Sequence, residues 1–296
     1  MLSFKGLSAF PITPMDAQGR VDADLLRGLL TRLVEAGVSS IGLLGSTGSY
    51  PYLSRAERRR AIEIAVAHVG TVPILAGIGA LRTDEAMALA QDARATGAAA
   101  GLLAPVSYTP LTDDEVFAHY ASVAAATDMP ICIYNNPGTT HFSFSPELIG
   151  RVSALPTIAA VKNPASPAET IAAEFAAVKA QVQPGFSIGY SGDWNATEAL
   201  LAGGETWYSV VGGLFPEPCL AIIRAVEAGD AAEARRLNAE LQPLWALFQK
   251  HSSLRVVYAA SRILGLNRMD PPLPILPLSD AVVAEIAKTL EQLGLR

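Results

Sequence analysis

The amino-acid sequence predicts an α/β fold, a closed (β/α)8 barrel followed by a C-terminal helical appendix. Three observations predict it. Short apolar runs alternate with longer amphipathic stretches, giving eight such units before residue 225. The runs are nearly continuously apolar rather than alternating, as in a parallel sheet covered by helices. After about Leu220 the strand signals stop and only helical patterns remain. Strict alternation over eight strands favours a TIM barrel over an open doubly wound sheet. No dinucleotide fingerprint follows the first run, which weakens the open-sheet alternative further.

The elements follow in order. Residues 7–12 read as the first strand, ahead of a helix starting around Asp22. Ser40-Ile41-Gly42-Leu43-Leu44 is the second strand. Ser54 then caps a helix over 55–69, with Glu57 at capping-box spacing. Val72-Pro73-Ile74-Leu75-Ala76 is the third, followed by a helix capped near Thr83. Residues 97–103 form the fourth, then a helix from Thr112 with Glu115 in the box position. Pro130-Ile131-Cys132-Ile133-Tyr134 is the fifth and Thr157-Ile158-Ala159-Ala160-Val161 the sixth. Phe186-Ser187-Ile188 is a weaker seventh and residues 206–211 are the eighth. Helices are expected over 221–227, 230–250, 253–264 and 279–293, separated by Gly229-Asp230 and the proline-rich stretch 271–277. The predicted division is a catalytic barrel over 1–225 and a helical domain over 226–296.

Composition narrows the function. The chain has 296 residues, of which 50% are hydrophobic, and a net charge of −6, values that exclude disorder. Its apolar runs are too short for a membrane span, which needs ~20 residues. Met1-Leu2-Ser3-Phe4-Lys5-Gly6 runs straight into Pro11 and Pro14, so no secretory leader is expected. The acidic balance argues against nucleic acid. Cys132 and Cys219 cannot make a disulfide framework, and a reducing cytoplasm is the expected location. Of the 22 basic residues only Lys5, Lys162, Lys179, Lys250 and Lys288 are lysines, so a lysine away from the surface needs an explanation.

In such a barrel the chemistry sits at the C-terminal ends of the strands. The second strand ends in Gly45-Ser46-Thr47-Gly48-Ser49, where two glycines bracket two hydroxyls. That turn can offer N–H and OH groups to a carboxylate or phosphate; a plain turn is the competing reading. The fourth ends in Pro105-Val106-Ser107-Tyr108-Thr109-Pro110, with Tyr108 either rigidly presented or simply packed. The fifth ends in Tyr134-Asn135-Asn136-Pro137-Gly138, where Tyr134 either passes protons or anchors the loop. The sixth ends in Lys162. An unpaired lysine at an apolar barrel mouth is desolvated, which disfavours the ammonium. The neutral amine attacks ketones to form Schiff bases, chemistry closed to arginine. A structural salt bridge is the alternative, and Asp193 is the one strand-end acid available for it.

Metal chemistry has little support, because His68, His119, His141 and His251 are widely separated, with no paired ligand spacing. His68 and His119 are expected on helix surfaces, whereas His141, in the loop after the fifth strand, is a candidate substrate contact. No nucleophile elbow supports a Ser–His–Asp triad. Flavin, thiamine and pyridoxal have no recognisable anchor, so no cofactor is expected.

Gly45-Ser46-Thr47-Gly48, Tyr134-Asn135-Asn136-Pro137, Val161-Lys162 and Ser191-Gly192-Asp193 together resemble the dihydrodipicolinate synthase / N-acetylneuraminate lyase family of Schiff-base (β/α)8 enzymes. The resemblance spans the chain, from Phe10-Pro11-Ile12-Thr13-Pro14 to the C-terminal helices. It implies that Lys162 condenses with the 2-keto group of pyruvate or a similar acid, and that Tyr134 donates and accepts protons. It implies that Ser46, in place of the family's threonine, relays protons to Tyr134, while Thr47 and the N–H of Gly48 grip the carboxylate. Tyr208 matches a position whose carbonyl lies near bound pyruvate. A homotetramer, built as a dimer of dimers, is implied as well, with a tyrosine of the fourth-strand loop reaching into the neighbouring site. Aligning Pro105 with Pro110 puts Ser107 at that tyrosine's position and Tyr108 one residue later, and which of them completes the relay stays open. Ser49 stands where the family has glutamate. Gly138-Thr139-Thr140-His141 lacks the arginine that holds the synthase's second substrate.

The resulting expectation is a Schiff-base lyase acting on pyruvate or a 2-keto-3-deoxy acid, by aldol cleavage, condensation or dehydration. The alternative is 4-hydroxy-tetrahydrodipicolinate synthase itself, condensing pyruvate with aspartate semialdehyde. A catalytically retired barrel that senses a keto acid is a third reading, and a metal-dependent aldolase a fourth.

Overall fold

The structure, a computed structural model, describes residues 3–296. Eight parallel strands close into one barrel in chain order. They are β1 (Gly6–Ala9), β2 (Ser40–Leu43), β3 (Ile74–Gly77), β4 (Ala100–Leu103), β5 (Ile131–Tyr134), β6 (Ile158–Pro164), β7 (Ser187–Ser191) and β8 (Thr206–Ser209). Closure comes from β1 pairing with β8, Gly6 opposite Thr206 through Ala9 opposite Ser209. Outside the barrel run α1 (Ala23–Ala36), α2 (Arg55–His68), α3 (Thr83–Ala95), α4 (Asp113–Ala125), the single turn α5 (Pro137–Thr140), α6 (Pro146–Ser153), α7 (Ala168–Lys179), α8 (Ala196–Leu201) and α9 (Pro216–Glu227). The appendix is α10 (Ala231–Glu240), α11 (Gln242–His251), α12 (Ser253–Ile263) and α13 (Asp280–Gln292). The last barrel helix, α9, thus ends just past the expected division at 225/226.

Two layers of core follow from strand geometry. Side chains alternate along a strand, so Cys132 and Tyr134, Ala160 and Lys162, and Tyr208 point into the barrel. With Phe10, Leu75 and Leu102 they fill its interior. The opposite faces meet the helices in a larger core that includes Leu26, Leu30 and Leu33 of α1. Each fully buried side chain of this size contributes about 1.5–3 kcal/mol.

Several local expectations hold and several are corrected. Asp22 caps α1, accepting from the N–H of Asp24 and Leu25, and Gly37 ends it at φ 78°. Thr112 and Glu115 form the complete capping box of α4. Ser54 caps α2, but the Glu57 carboxylate accepts from the Val21 N–H at 2.8 Å, tying α2 to the segment before α1 instead of closing a box. Thr83 is the first residue of α3 and not its cap; Arg82 holds that position without a side-chain hydrogen bond. The single helix expected over 230–250 is two helices. They meet at Leu241, because Pro243 in the first turn of α11 has no N–H to continue α10. α9 starts at Pro216, five residues before the expected start, with proline in its first turn. His119 is half-buried, packed edge-on against Tyr120, and burial lowers its pKa. No helix among the described residues is long and apolar enough to cross a membrane.

Candidate active site

The site is assembled at the C-terminal mouth of the barrel. Lys162 lies on β6, in register with Tyr134 of β5 and Gly189 of β7. Facing inward at the last turn of the strand, it is only 3% exposed. Its Nζ sits 3.9 Å from the centre of the Phe10 ring, 4.3 Å from that of Tyr134 and 5.9 Å from that of Tyr208. Among the described residues the one lysine ion pair is Lys250 with Glu285, so Lys162 has no carboxylate partner. Asp193, the acid available on sequence grounds, is committed elsewhere. Its carboxylate accepts from Trp207 Nε1 at 2.9 Å and from the Val211 N–H at 2.8 Å. Burial raises its pKa, and those two donors oppose the rise. Asp193 therefore fastens the end of β8 and leaves the lysine seated on aromatic faces alone.

Tyr134 reaches across the mouth to the turn after β2, where its hydroxyl lies 3.1 Å from Ser46 Oγ. Asn136 joins them: its Nδ2 donates to Tyr134 OH at 2.9 Å and to Ser46 Oγ at 3.5 Å. The turn itself is tight. The Ser49 N–H donates to the Ser46 carbonyl at 3.1 Å, and Leu44 and Ser49 both take positive φ, 58° and 54°. A Cβ on Gly48 would lie 3.0 Å from the backbone of Leu44 and from Thr13 Oγ1, so a side chain fits here only if those neighbours give way by a few tenths of an ångström. Thr47 is buried beside it. Among the described residues neither the Thr47 nor the Gly48 N–H finds a backbone acceptor, so both remain available to an anion. Ser49 is buried, and its Oγ has no hydrogen-bond partner.

The structure therefore brings together Lys162, Tyr134, Ser46, Thr47, Gly48 and the ring of Tyr208. The Tyr208 hydroxyl points down the barrel, 3.5 Å from Cys132 Sγ, and burial pushes the Cys132 thiol up to about 12. Tyr108 and His141 are not part of this cluster. Tyr108 is 97% exposed on the loop after β4. His141 is exposed at the end of α5 at φ 56°. Two residues of the cluster carried no assigned role in the sequence. Phe10 is the floor of the lysine seat, and strand alternation from Ser8 is the signal for its inward direction. Asn136 had a place in the motif and no partner. No group of three or more His, Cys, Asp or Glu side chains among the described residues could hold a metal ion.

With this geometry in place, comparison with known proteins is specific. The model of the dihydrodipicolinate synthetase family matches residues 3–293. The 4-hydroxy-tetrahydrodipicolinate synthase of Alcanivorax borkumensis is 36% identical over 96% of this chain and 96% of its own length. The crystal structure of dihydrodipicolinate synthase from Agrobacterium tumefaciens is 56% identical, with a TM-score of 0.96, over 98% of each chain. That of the chloride-inhibited dihydrodipicolinate synthase of Acinetobacter baumannii, complexed with pyruvate, is 27% identical with a TM-score of 0.91, over 99% of this chain and 100% of the other. An inward lysine on aromatic rings, a tyrosine–serine pair beside it and a match along nearly the whole chain lead to one assignment: this chain belongs to the dihydrodipicolinate synthetase family.

Proposed function

We propose that this enzyme, a lyase of that family, forms an imine between Lys162 and pyruvate and condenses the resulting enamine with an aldehyde, aspartate semialdehyde being the first acceptor to test. The observation that carries the proposal is the Lys162 amine, buried against Phe10 and Tyr134 without a carboxylate to pair it. A structural lysine would be paired; an unpaired amine at the barrel mouth is placed to attack a ketone.

The steps follow from the residues present. Lys162 Nζ adds to C2 of pyruvate, and the carbinolamine loses its hydroxyl as water with a proton from Tyr134. The iminium acidifies C3, whose proton passes to the Tyr134 phenolate as the enamine forms. C3 then attacks the aldehyde carbon, whose oxygen takes that proton, and water hydrolyses the regenerated iminium to free Lys162. Ser46, in hydrogen-bond contact with Tyr134, shares the proton traffic. Thr47, with its own N–H and that of Gly48, holds the pyruvate carboxylate. Tyr208 closes the far side of the seat. Ser49, buried in the turn after β2, and His141, exposed at the end of α5, are the remaining candidates for contact with the second substrate.

The names borne by relatives favour the semialdehyde as acceptor. One observation favours a second reading, cleavage or dehydration of a 2-keto-3-deoxy acid: residues 138–141 offer no arginine to a second carboxylate. A second copy of this chain is the proposed partner, docking over the loops that expose Tyr108 and Leu81. The deciding experiment is borohydride reduction with pyruvate followed by peptide mapping, then kinetics with aspartate semialdehyde and a panel of keto-deoxy acids. An adduct at Lys162 is expected. Its absence would sink the imine mechanism, and turnover of keto-deoxy acids alone would move the assignment to the second reading. Sedimentation at micromolar concentration is expected to give an oligomer, and a monomer would remove the proposed partner.

A further inference from the structure

We propose that Asn136 is a positioning residue that donates a hydrogen bond to the Tyr134 hydroxyl from within the same chain and so stabilises Tyr134 once its proton has left. The inference rests on the imine reading of Lys162 and adds a residue to it.

The argument is one of donors and acceptors. A tyrosine hydroxyl has one hydrogen and accepts through its lone pairs, whereas the amide nitrogen of asparagine only donates. Asn136 Nδ2 donates to Tyr134 OH at 2.9 Å, the shortest contact in the Tyr134–Ser46–Asn136 group. The hydrogen of Tyr134 is therefore never spent on Asn136 and stays directed at Ser46 or the substrate. When that proton leaves with the hydroxyl of the carbinolamine as water, an iminium and a phenolate remain. The phenolate oxygen then faces two donors, Ser46 OH and the Asn136 N–H. Hydrogen bonds to an ionised acceptor are roughly twice as strong as neutral ones. Asn136 thus favours the state in which the proton has been delivered, while moving no proton itself.

The backbone holds the amide in place. The Asn136 carbonyl accepts from the N–H of Thr139 at 2.9 Å and of Thr140 at 3.0 Å, and from Thr140 Oγ1 at 3.0 Å, anchoring the start of α5. The fourth-strand loop of the same chain supplies no rival. Ser107 Oγ turns back to donate to the Thr109 carbonyl, and Tyr108 faces outward.

The test uses the full-length enzyme and pyruvate alone, following exchange of pyruvate C3 hydrogens in deuterium oxide by NMR. Wild type, Asn136→Ala and Asn136→Asp are compared, with borohydride trapping run on wild type. Asn136→Ala is expected to lower kcat for exchange by about 10²-fold, the scale of losing one donor to a developing oxyanion. KM for pyruvate should change by less than about threefold, because the carboxylate grip is elsewhere. Asn136→Asp, equal in shape but an acceptor only, should be worse than alanine. That order is one a purely structural role would not produce. If trapping labels Lys162 in wild type and both variants keep kcat within twofold, the inference is overturned and the imine reading stands. If trapping labels nothing, the imine reading falls and takes this inference with it.

Discussion

Lys162→Ala is expected to abolish the borohydride-fixed pyruvate adduct and to lower turnover by at least about 10³-fold, because the covalent route disappears with the amine. Lys162→Arg should fail as completely. It restores a cation over the Phe10 ring but cannot form an imine. Lys162→Met separates function from stability. The methionine stem fills the seat between Phe10 and Tyr134, and the buried, unpaired amine is gone. Burying a polar group without a partner costs free energy that contact with aromatic faces only partly returns. Lys162→Met should therefore melt at or above the wild-type temperature while being inactive. Calorimetry and trapping on the same samples check both halves. Appreciable turnover by either the alanine or the methionine variant would remove Lys162 from the mechanism.

Tyr134→Phe carries the second largest expected effect. The change deletes one oxygen and keeps the ring that packs 4.3 Å from Lys162 Nζ, so the seat survives. Lost with it are the 3.1 Å contact to Ser46 and the 2.9 Å bond from Asn136. Positioned acid–base groups contribute typically ~10²–10⁴-fold, and the loss in kcat should fall in that range. The adduct should still form at Lys162, only more slowly, because the nucleophile remains and water can supply protons inefficiently. A time course of trapping distinguishes the two roles: a late but full yield identifies Tyr134 as the proton carrier. A variant within fivefold of wild type in kcat would show that the proton moves by another path.

The barrel was legible because each strand is a short apolar run between turn residues, and the closed topology adds only the pairing of β1 with β8. Ends were less legible. The fourth strand begins at Ala100 and not at residue 97, because Gly97 takes φ 94° to make the turn. Lys162 was visible as the one lysine closing an apolar run, and Ser46, Thr47 and Tyr134 as polar groups ending strands. Phe10 and Asn136 were not. Position 10 meets position 162 only once eight strands have closed a circle. The amide of Asn136 finds the Tyr134 hydroxyl only through the single turn of α5 that reverses the chain after Pro137. Neither contact has a signature in local spacing. Tyr108 is a different case: its flanking prolines imply rigidity but do not fix its direction, and within the single chain it faces outward.

Phe10 shares its space with two glycines. A Cβ at Gly42 would come within 2.2 Å of its ring, and one at Gly45 within 2.6 Å. These three positions therefore hold a single volume among them, and none changes size alone without cost. A larger residue at 42 or 45 clashes unless position 10 has already shrunk, and shrinking position 10 first leaves a void beneath the lysine until 42 or 45 fills it. Substitutions here are epistatic, with effects that do not add. The floor of the lysine seat can thus be redesigned, or drift in evolution, only along paths that pass through a smaller residue 10 first.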